Sequence, residues 1–316
     1  MQCQVRAWGE NFHICYGKHP RARTTRIPLH PTTARLYSFI EYSHFPNSWY
    51  PVIKLTVLVI LLILAAAAGC TPQPGLAQPE TLTVSAAASL TEAFSEIGAL
   101  FESANPQVKV TFNFAGSQEL AQQIIQGAAV DVFASANQKQ MDVVLNELKL
   151  GSTAASVFAS NRLVVIYPVN NTAGLKTLED LAKPGLKLVL AGPEVPVGQY
   201  SLDFLDLAEK SGNFPAGYQQ AVLANIVSYE QNVRAVLTKV ALDEADAGIV
   251  YATDVGKATG QIGILEIPPE LNVIVRYPIL ALPGRQQTAR GQDFVDFLLS
   301  PAGQQVLEKY GFSPAE

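Results

Sequence analysis

An α/β fold follows from three features of the sequence. From Leu82 onward, short runs with strand character alternate with amphipathic stretches of helical length: TLTVSAA then LTEAFSEIGALFESAN, VKVTFNFA then QELAQQIIQGA, VDVFASA then QKQMDVVLNEL, and RLVVIYP then LKTLEDLAK. Such alternation indicates a mostly parallel sheet flanked by helices. The pattern then continues through LKLVLAG, SLDFLDLAEKSG, NIVSYE, VRAVLTKVALDE and AGIVYA to the sheet-like runs GILEIP and NVIVRYPILAL and a closing helix DFVDFLLSPAGQQVLEKYG. Finally, this region of about 235 residues exceeds a typical domain of about 100 to 150, so it divides naturally into two lobes. The segments LVVIYP and VIVRYP serve as the crossings, ended by Pro168 and Pro278, which puts residues 81–164 and 276–316 in one lobe and 165–275 in the other.

The residues before this region belong to neither lobe. Leu55 to Ala68 is a charge-free apolar run, interrupted only by Thr56, preceded by Lys54 and followed by Gly69 and Cys70. It is shorter than the roughly 20 apolar residues a membrane-spanning helix needs, and its charged, apolar, small order is that of a secretory signal. The ending 65-AAAAGC-70 resembles the cleavage box of bacterial lipoproteins, with Ala67 standing where that box usually has leucine. The resemblance implies a signal over residues 52–69, lipid on Cys70 and an extracytoplasmic domain anchored to the membrane. Residues 70–80 carry the proline- and glutamine-rich text of a tether. Residues 1–51 are arginine-rich and aperiodic, far too long for the charged start of a signal, and no methionine lies between Met1 and Met141. They are expected to be a start-site artefact or a disordered extension, with Val52 opening the leader.

Removing the leader changes the chemistry available. All four histidines, both tryptophans, Cys3 and Cys15 precede Cys70, which leaves Cys70 as the only mature cysteine. Histidine general-base catalysis, disulfides, and histidine or cysteine metal sites are thereby excluded from the mature domain. Of the 22 basic and 27 acidic residues, 7 and 2 lie before Cys70, so the mature chain carries 15 against 25, a net charge of −10. Nucleic-acid binders show a basic footprint, and this surface has the opposite sign.

The segments that can carry chemistry are helix starts. Ser89 stands where a strand gives way to a helix, and Ser117 stands between Gly116 and QELAQQI. Both are good N-cap positions, and capping alone accounts for either one singly. Together they also form a nest of donors, because helix N-termini in α/β sheets point free N–H groups past the strand ends, where ligands bind. The second half of the chain offers 195-VPVGQYSL-202, a turn opening a helix, and the helix start 231-QNVRAVL-237. Tyr251, at the end of the strand GIVY, either packs or points its phenol into the same cleft. Arg234 is either an anion partner or a solvated first-turn side chain.

Taken as an ordered set, AAASL (86–90), AGSQELAQQI (115–124), GAAVDVFASANQKQMD (127–142), NRLVVIYP (161–168), GPEVPVGQY (192–200), NVRAVL (232–237) and GIVYATDV (248–255) resemble the periplasmic molybdate-binding proteins of ABC importers. The ending FLLSPAGQQVLEKYGF resembles their wider superfamily, and the likeness spans essentially all of 80–316. It implies a type II periplasmic-binding-protein fold, two lobes joined by hinge strands and closing on a molybdate or tungstate dianion. The implied ligands are the hydroxyl and amide of Ser89 and Ser117, the amides of Val197 and Val233, and the phenol of Tyr251. The resemblance further implies no cofactor, a membrane permease as partner, and a monomer without enzymatic activity.

Donor-only lining would suit a fully deprotonated dianion, whereas monohydrogen phosphate would bring an O–H with no acceptor, at a cost of about 1 to 3 kcal/mol. Sulfate carries no proton and must be excluded by cavity size. The competing readings are a binder of sulfate or another oxyanion, a ferric receptor, a signalling receptor, and an extracytoplasmic enzyme recruiting Glu92, Glu119, Asp131 or Asp254. Ferric sites want clustered tyrosines and carboxylates, and an enzyme here would lack histidine and any G-x-S-x-G nucleophile motif. Tryptic mapping of the native precursor is expected to yield no peptide between Arg21 and Arg35; recovery of one would show that the first 51 residues are translated.

Overall fold

The computed structural model describes residues 55–56, 58–60, 80–284 and 288–315. Residues 55–56 and 58–60 are helical; the rest of the expected leader, Cys70 and the tether up to residue 79 lie outside the described residues. Among the described residues no helix is long and apolar enough to cross a membrane.

Two five-stranded sheets organise residues 80–315. In chain order the first receives β1 (Glu80–Ala87), β2 (Val108–Ala115), β3 (Val132–Ala134) and β4 (Ser156–Asn161), and the second receives β5 (Leu163–Pro168), β6 (Leu188–Ala191), β7 (Ile226–Glu230), β8 (Ala247–Tyr251) and β9 (Ile262–Glu266). β10 (Val275–Ala281) then returns to the first sheet. The spatial orders are β2-β1-β3-β10-β4 and β7-β6-β8-β5-β9. The expected parallel pairing holds for β1 with β2 and β3, and for β6 with β7 and β8. β10 and β5 run antiparallel to both their neighbours, so each sheet is mixed. These are the strands that enter each sheet directly from the other one, without the helical crossover that parallel neighbours require.

The first crossing lies just before the segment expected to hold it, and the return overlaps VIVRYP only at Val273 and Ile274. Leu163 and Val164 already pair within the second sheet, and Val275 pairs with Asn161 in the first. The chain therefore crosses at Arg162 and returns through residues 267–274. The two crossings are fastened side by side: Asn272 Oδ1 accepts from the Leu163 amide at 2.9 Å, its Nδ2 donates to the Leu163 carbonyl at 2.8 Å, and Arg162 pairs with Glu266. Pro168 does end β5, but Pro278 sits inside β10. A register shift between Tyr277 and Pro278 accommodates the missing N–H there.

Helices cover the sheets as their apolar periodicity dictates. In α1 (Thr91–Ala104) the buried residues Ala93, Phe94, Ile97, Gly98 and Phe101 recur at three- and four-residue intervals and face the first sheet. Phe94 and Phe101 meet Phe294 of α7 (Thr288–Leu299) with ring centroids 6.1 and 5.4 Å apart. α2 (Ser117–Ile125) and α3 (Gln138–Glu147) share a smaller core of Leu120, Ile124, Phe133, Met141, Val144 and Leu280. In the second lobe α4 (Pro196–Ser211), α5 (Tyr218–Ala224) and α6 (Val233–Ala241) pack on β6 and β8 or on one another. The expected closing helix is two helices, α7 and α8 (Pro301–Lys309), because Pro301 cannot continue a helix and Ser300 caps the new one. LKTLEDLAK forms only a five-residue 3-10 helix, Leu178–Ala182, closed by a capping box of Thr177 and Asp180. The seven-residue α5 has too few turns to show its period in sequence.

One glycine holds the start of α4 against the end of β6. A Cβ at Gly198 would lie 2.0 Å from the Gly192 carbonyl oxygen and 2.4 Å from that of Ala191. Gly198→Ala is expected to destabilise the protein by about 1 to 3 kcal/mol through overpacking, seen as a lowered urea midpoint with unchanged slope.

Candidate functional site

Helix starts from both lobes converge on one small cavity of about 20 Å³, lined by Ala87, Ala88, Ser89, Ala115, Gly116, Ser117, Ala136, Val195, Pro196, Val197, Asn232, Val233 and Tyr251. That is room for a single small ion, little more than a water molecule occupies. All five residues singled out in the sequence as ligands line it.

The two serines do not cap. Ser89 lies within a 3-10 turn, Ala88–Leu90, and α1 begins after it with Leu90 as N-cap and no side-chain cap bond. Ser117 is the first residue of α2, with Gly116 as the N-cap. Both hydroxyls are thereby free to turn inward, and both residues are buried. The Ala136 amide donates to Ser117 Oγ at 3.0 Å, which engages a lone pair and leaves the hydroxyl hydrogen to give. Ser89 Oγ lies 3.2 Å from the phenol oxygen of Tyr277. Neither Ala136 nor Tyr277 was identifiable from sequence as part of the site, because a backbone amide carries no residue signature and Tyr277 reads as a strand residue.

Across the cleft, Pro196 and Val197 open α4, and Val233 opens α6. First-turn amides have no acceptor four residues back, so those of Val197 and Val233 are available. Asn232 caps α6 by accepting from Ala235, which leaves the Val233 amide untouched. Tyr251 ends β8 and is buried, and its hydroxyl has no partner among the described residues. Burial first, then the neighbouring Tyr277, Tyr200 and Asp254, pushes this phenol well above its ordinary range, so it remains a donor. A buried polar atom without a partner is uncommon, and of the four such side-chain atoms among the described residues only the Tyr251 hydroxyl belongs to a residue lining the cavity.

The lobes are closed around the cavity. Gln118 Nε2 reaches the Gln231 carbonyl at 2.9 Å, and Gln140 Nε2 reaches that of Glu194 at 3.0 Å. A Cβ at Gly116 would stand 2.7 Å from the Gln231 carbonyl oxygen, so only glycine admits this approach. Arg234 does not line the cavity, and its half-buried side chain is held by partners instead of standing free in solvent. It pairs with Glu92 of the first lobe and donates to the Ala88 carbonyl at 3.2 Å, while Lys257 joins Glu92 at 2.8 Å and Asp254 at 2.9 Å. Burial opposes the Glu92 charge, yet the hydrogen bonds from Arg234 and Lys257 outweigh it and hold the carboxyl below its ordinary range. The carboxylates considered for an enzyme have partners elsewhere: Glu92 and Asp254 Oδ1 in this cluster, with Asp254 Oδ2 buried and unpaired among the described residues, Asp131 at the Thr83 amide and Glu119 at Gln123; none of the four lines the cavity. The structure does bring Tyr251 and Tyr277 together, 5.9 Å between centroids, but only Tyr251 lines the cavity. Among the described residues no group of three or more His, Cys, Asp and Glu could hold a metal ion.

Two lobes on mixed sheets, joined by paired crossings and closed on a small cavity at the helix starts, define a solute receptor, and the chain belongs to the family of bacterial extracellular solute-binding proteins, whose model matches residues 82–313. It is 35% identical over 265 residues to the molybdate-binding protein ModA of Mycobacterium tuberculosis H37Rv, an alignment covering 82% of this chain and 97% of that one. A solved Clostridium difficile substrate-binding domain, proposed to serve a molybdenum ABC transporter, is 31% identical with a TM-score of 0.56, covering 75% of this chain and 99% of that one. The sulfate-binding protein SubI of Mycobacterium tuberculosis shares the fold, with a TM-score of 0.67 at 14% identity over 75% of this chain and 88% of its own.

Ser117→Ala removes one donor and also leaves the buried Ala136 amide without its acceptor, so it is expected to weaken oxyanion binding by about tenfold or more and to destabilise the unliganded protein by about 1 to 3 kcal/mol without unfolding it. Tyr251→Phe should cost less wherever a water can replace the phenol; unchanged affinity in either variant, by calorimetry, removes that residue from the site.

Proposed function

We propose that the protein is an extracytoplasmic receptor that captures molybdate or tungstate in this cavity and delivers it to an ABC permease, acting as a monomer held to the membrane by lipid on Cys70. The observation carrying this reading is the Tyr251 phenol, which is buried, protonated and unpartnered at a cavity also lined by Ser89, Ser117 and the first-turn residues Val197 and Val233. A proton-free dianion accepts from all sides and satisfies each of these groups at once, without a counter-charge. The cavity's small size excludes sugars and amino acids from the closed form. Closure is the signal a permease reads, because contacts from both lobes to one ion stabilise a single relative orientation. The lipid anchor finds its support in 65-AAAAGC-70 and the tether behind it.

Sulfate is the competing ligand, since it too carries no proton and the cavity is small. Calorimetric titration of residues 79–316 with molybdate, tungstate, sulfate and phosphate decides between them. One-to-one binding of the first two, with no heat from the others, is the expected result. Tight sulfate binding would assign the cavity to the smaller ion, and silence from all four would refute the oxyanion receptor.

A further inference from the structure

We propose that Tyr277 is a positioning residue for ligand selectivity: fed by Asn161, it donates to Ser89 Oγ and so commits the Ser89 hydroxyl to donate into the cavity. The inference deepens the oxyanion reading and rests on it. Ser89 is the one lining hydroxyl whose partner is another hydroxyl, at 3.2 Å, so the direction of that bond is not set by the pair itself. If Ser89 donated to Tyr277, it would turn only lone pairs toward an anion that has only lone pairs to offer.

The direction is set one residue further back. The Arg162 amide donates to Asn161 Oδ1 at 2.9 Å, which fixes that atom as the acceptor and leaves the Asn161 NH2 group facing Thr253 Oγ1 at 2.9 Å and the Tyr277 phenol oxygen at 3.4 Å. With Asn161 donating to it, Tyr277 has its own hydrogen to place. Tyr277 is fully buried, and an unplaced hydrogen there would be an unsatisfied donor. The acceptor within reach is Ser89 Oγ. Burial holds the Tyr277 phenol protonated, so the donor is always present. Once Ser89 Oγ accepts, its hydrogen can be satisfied only from the cavity side, and the bonds in such a chain polarise one another in the same direction. Asn161 ends β4 at the crossing between the lobes, and its second bond, to Thr253, spans them.

Two sets of variants test this by calorimetry, with thermal denaturation confirming that each is folded. In the first, Tyr277→Phe and Ser89→Ala each weaken molybdate binding by about tenfold, and the double variant is no weaker than Ser89→Ala alone, because Tyr277 acts through Ser89. A double variant weaker by the product of the two effects would overturn the relay. The second uses Asn161→Asp, whose carboxylate would accept from Tyr277, reverse the chain and make Ser89 an acceptor toward the cavity. Molybdate and monohydrogen phosphate carry the same charge, so added negative charge alone weakens both alike. Reversal instead weakens molybdate selectively and lets phosphate, through its O–H, compete where it does not in the parent protein. Equal losses for the two anions would count against the proposal. If the parent binds sulfate rather than molybdate, the same variants are read with sulfate, and the relay stands or falls separately from the identity of the ion; a parent silent to every oxyanion refutes the reading of the site and the relay together.

Discussion

A hydroxyl has one hydrogen to give, and the architecture of this protein depends on where those hydrogens point. Ser117 receives the Ala136 amide and Ser89 lies against Tyr277, while Tyr251 has no protein partner. Each of these arrangements leaves a donor for the cavity. The lobes, crossings and helix starts bring such donors to one point from elements far apart in the chain. Neutral donors suffice because they are fixed before the ion arrives, so little reorganisation offsets the gain of binding.

Charge is present nearby but is kept out of the cavity. Arg234 and Lys257 face Glu92 and Asp254, and each also donates to a carbonyl of the Ser89 turn, Arg234 to Ala88 and Lys257 to Ser89. The cluster therefore fastens the second lobe to the turn that carries the Ser89 hydroxyl, which ties closure to the geometry of the cavity. An arginine placed in the cavity would bind any anion strongly by charge. Donors without a formal charge discriminate between anions by proton content and by size.

Glycine marks the places where backbone meets backbone around the site. Gly198 lets α4 start against the end of β6, and Gly116 lets the first lobe approach the Gln231 carbonyl of the second. Both stand beside residues that line the cavity, Val197 and Ser117, so the close contacts that position the amides and the close contact that seals the cleft use neighbouring positions.

The sequence by itself determined the α/β class, two lobes, the helix starts at Ser89, Ser117, Val197 and Val233, and the strand end at Tyr251, because strand and helix periodicity and turn residues are local signals. The proline at 301 was equally legible and should have divided the last helix in two. Tertiary structure alone decided that the two serines turn inward instead of capping, since whether a hydroxyl caps depends on what lies on its other side. It also decided that Arg234 meets Glu92 across 142 residues and that Tyr277 meets Ser89 across 188. Contacts at such separations leave no pattern along a single chain, because their partners are brought together by sheet order and lobe closure and by nothing in the residues between them.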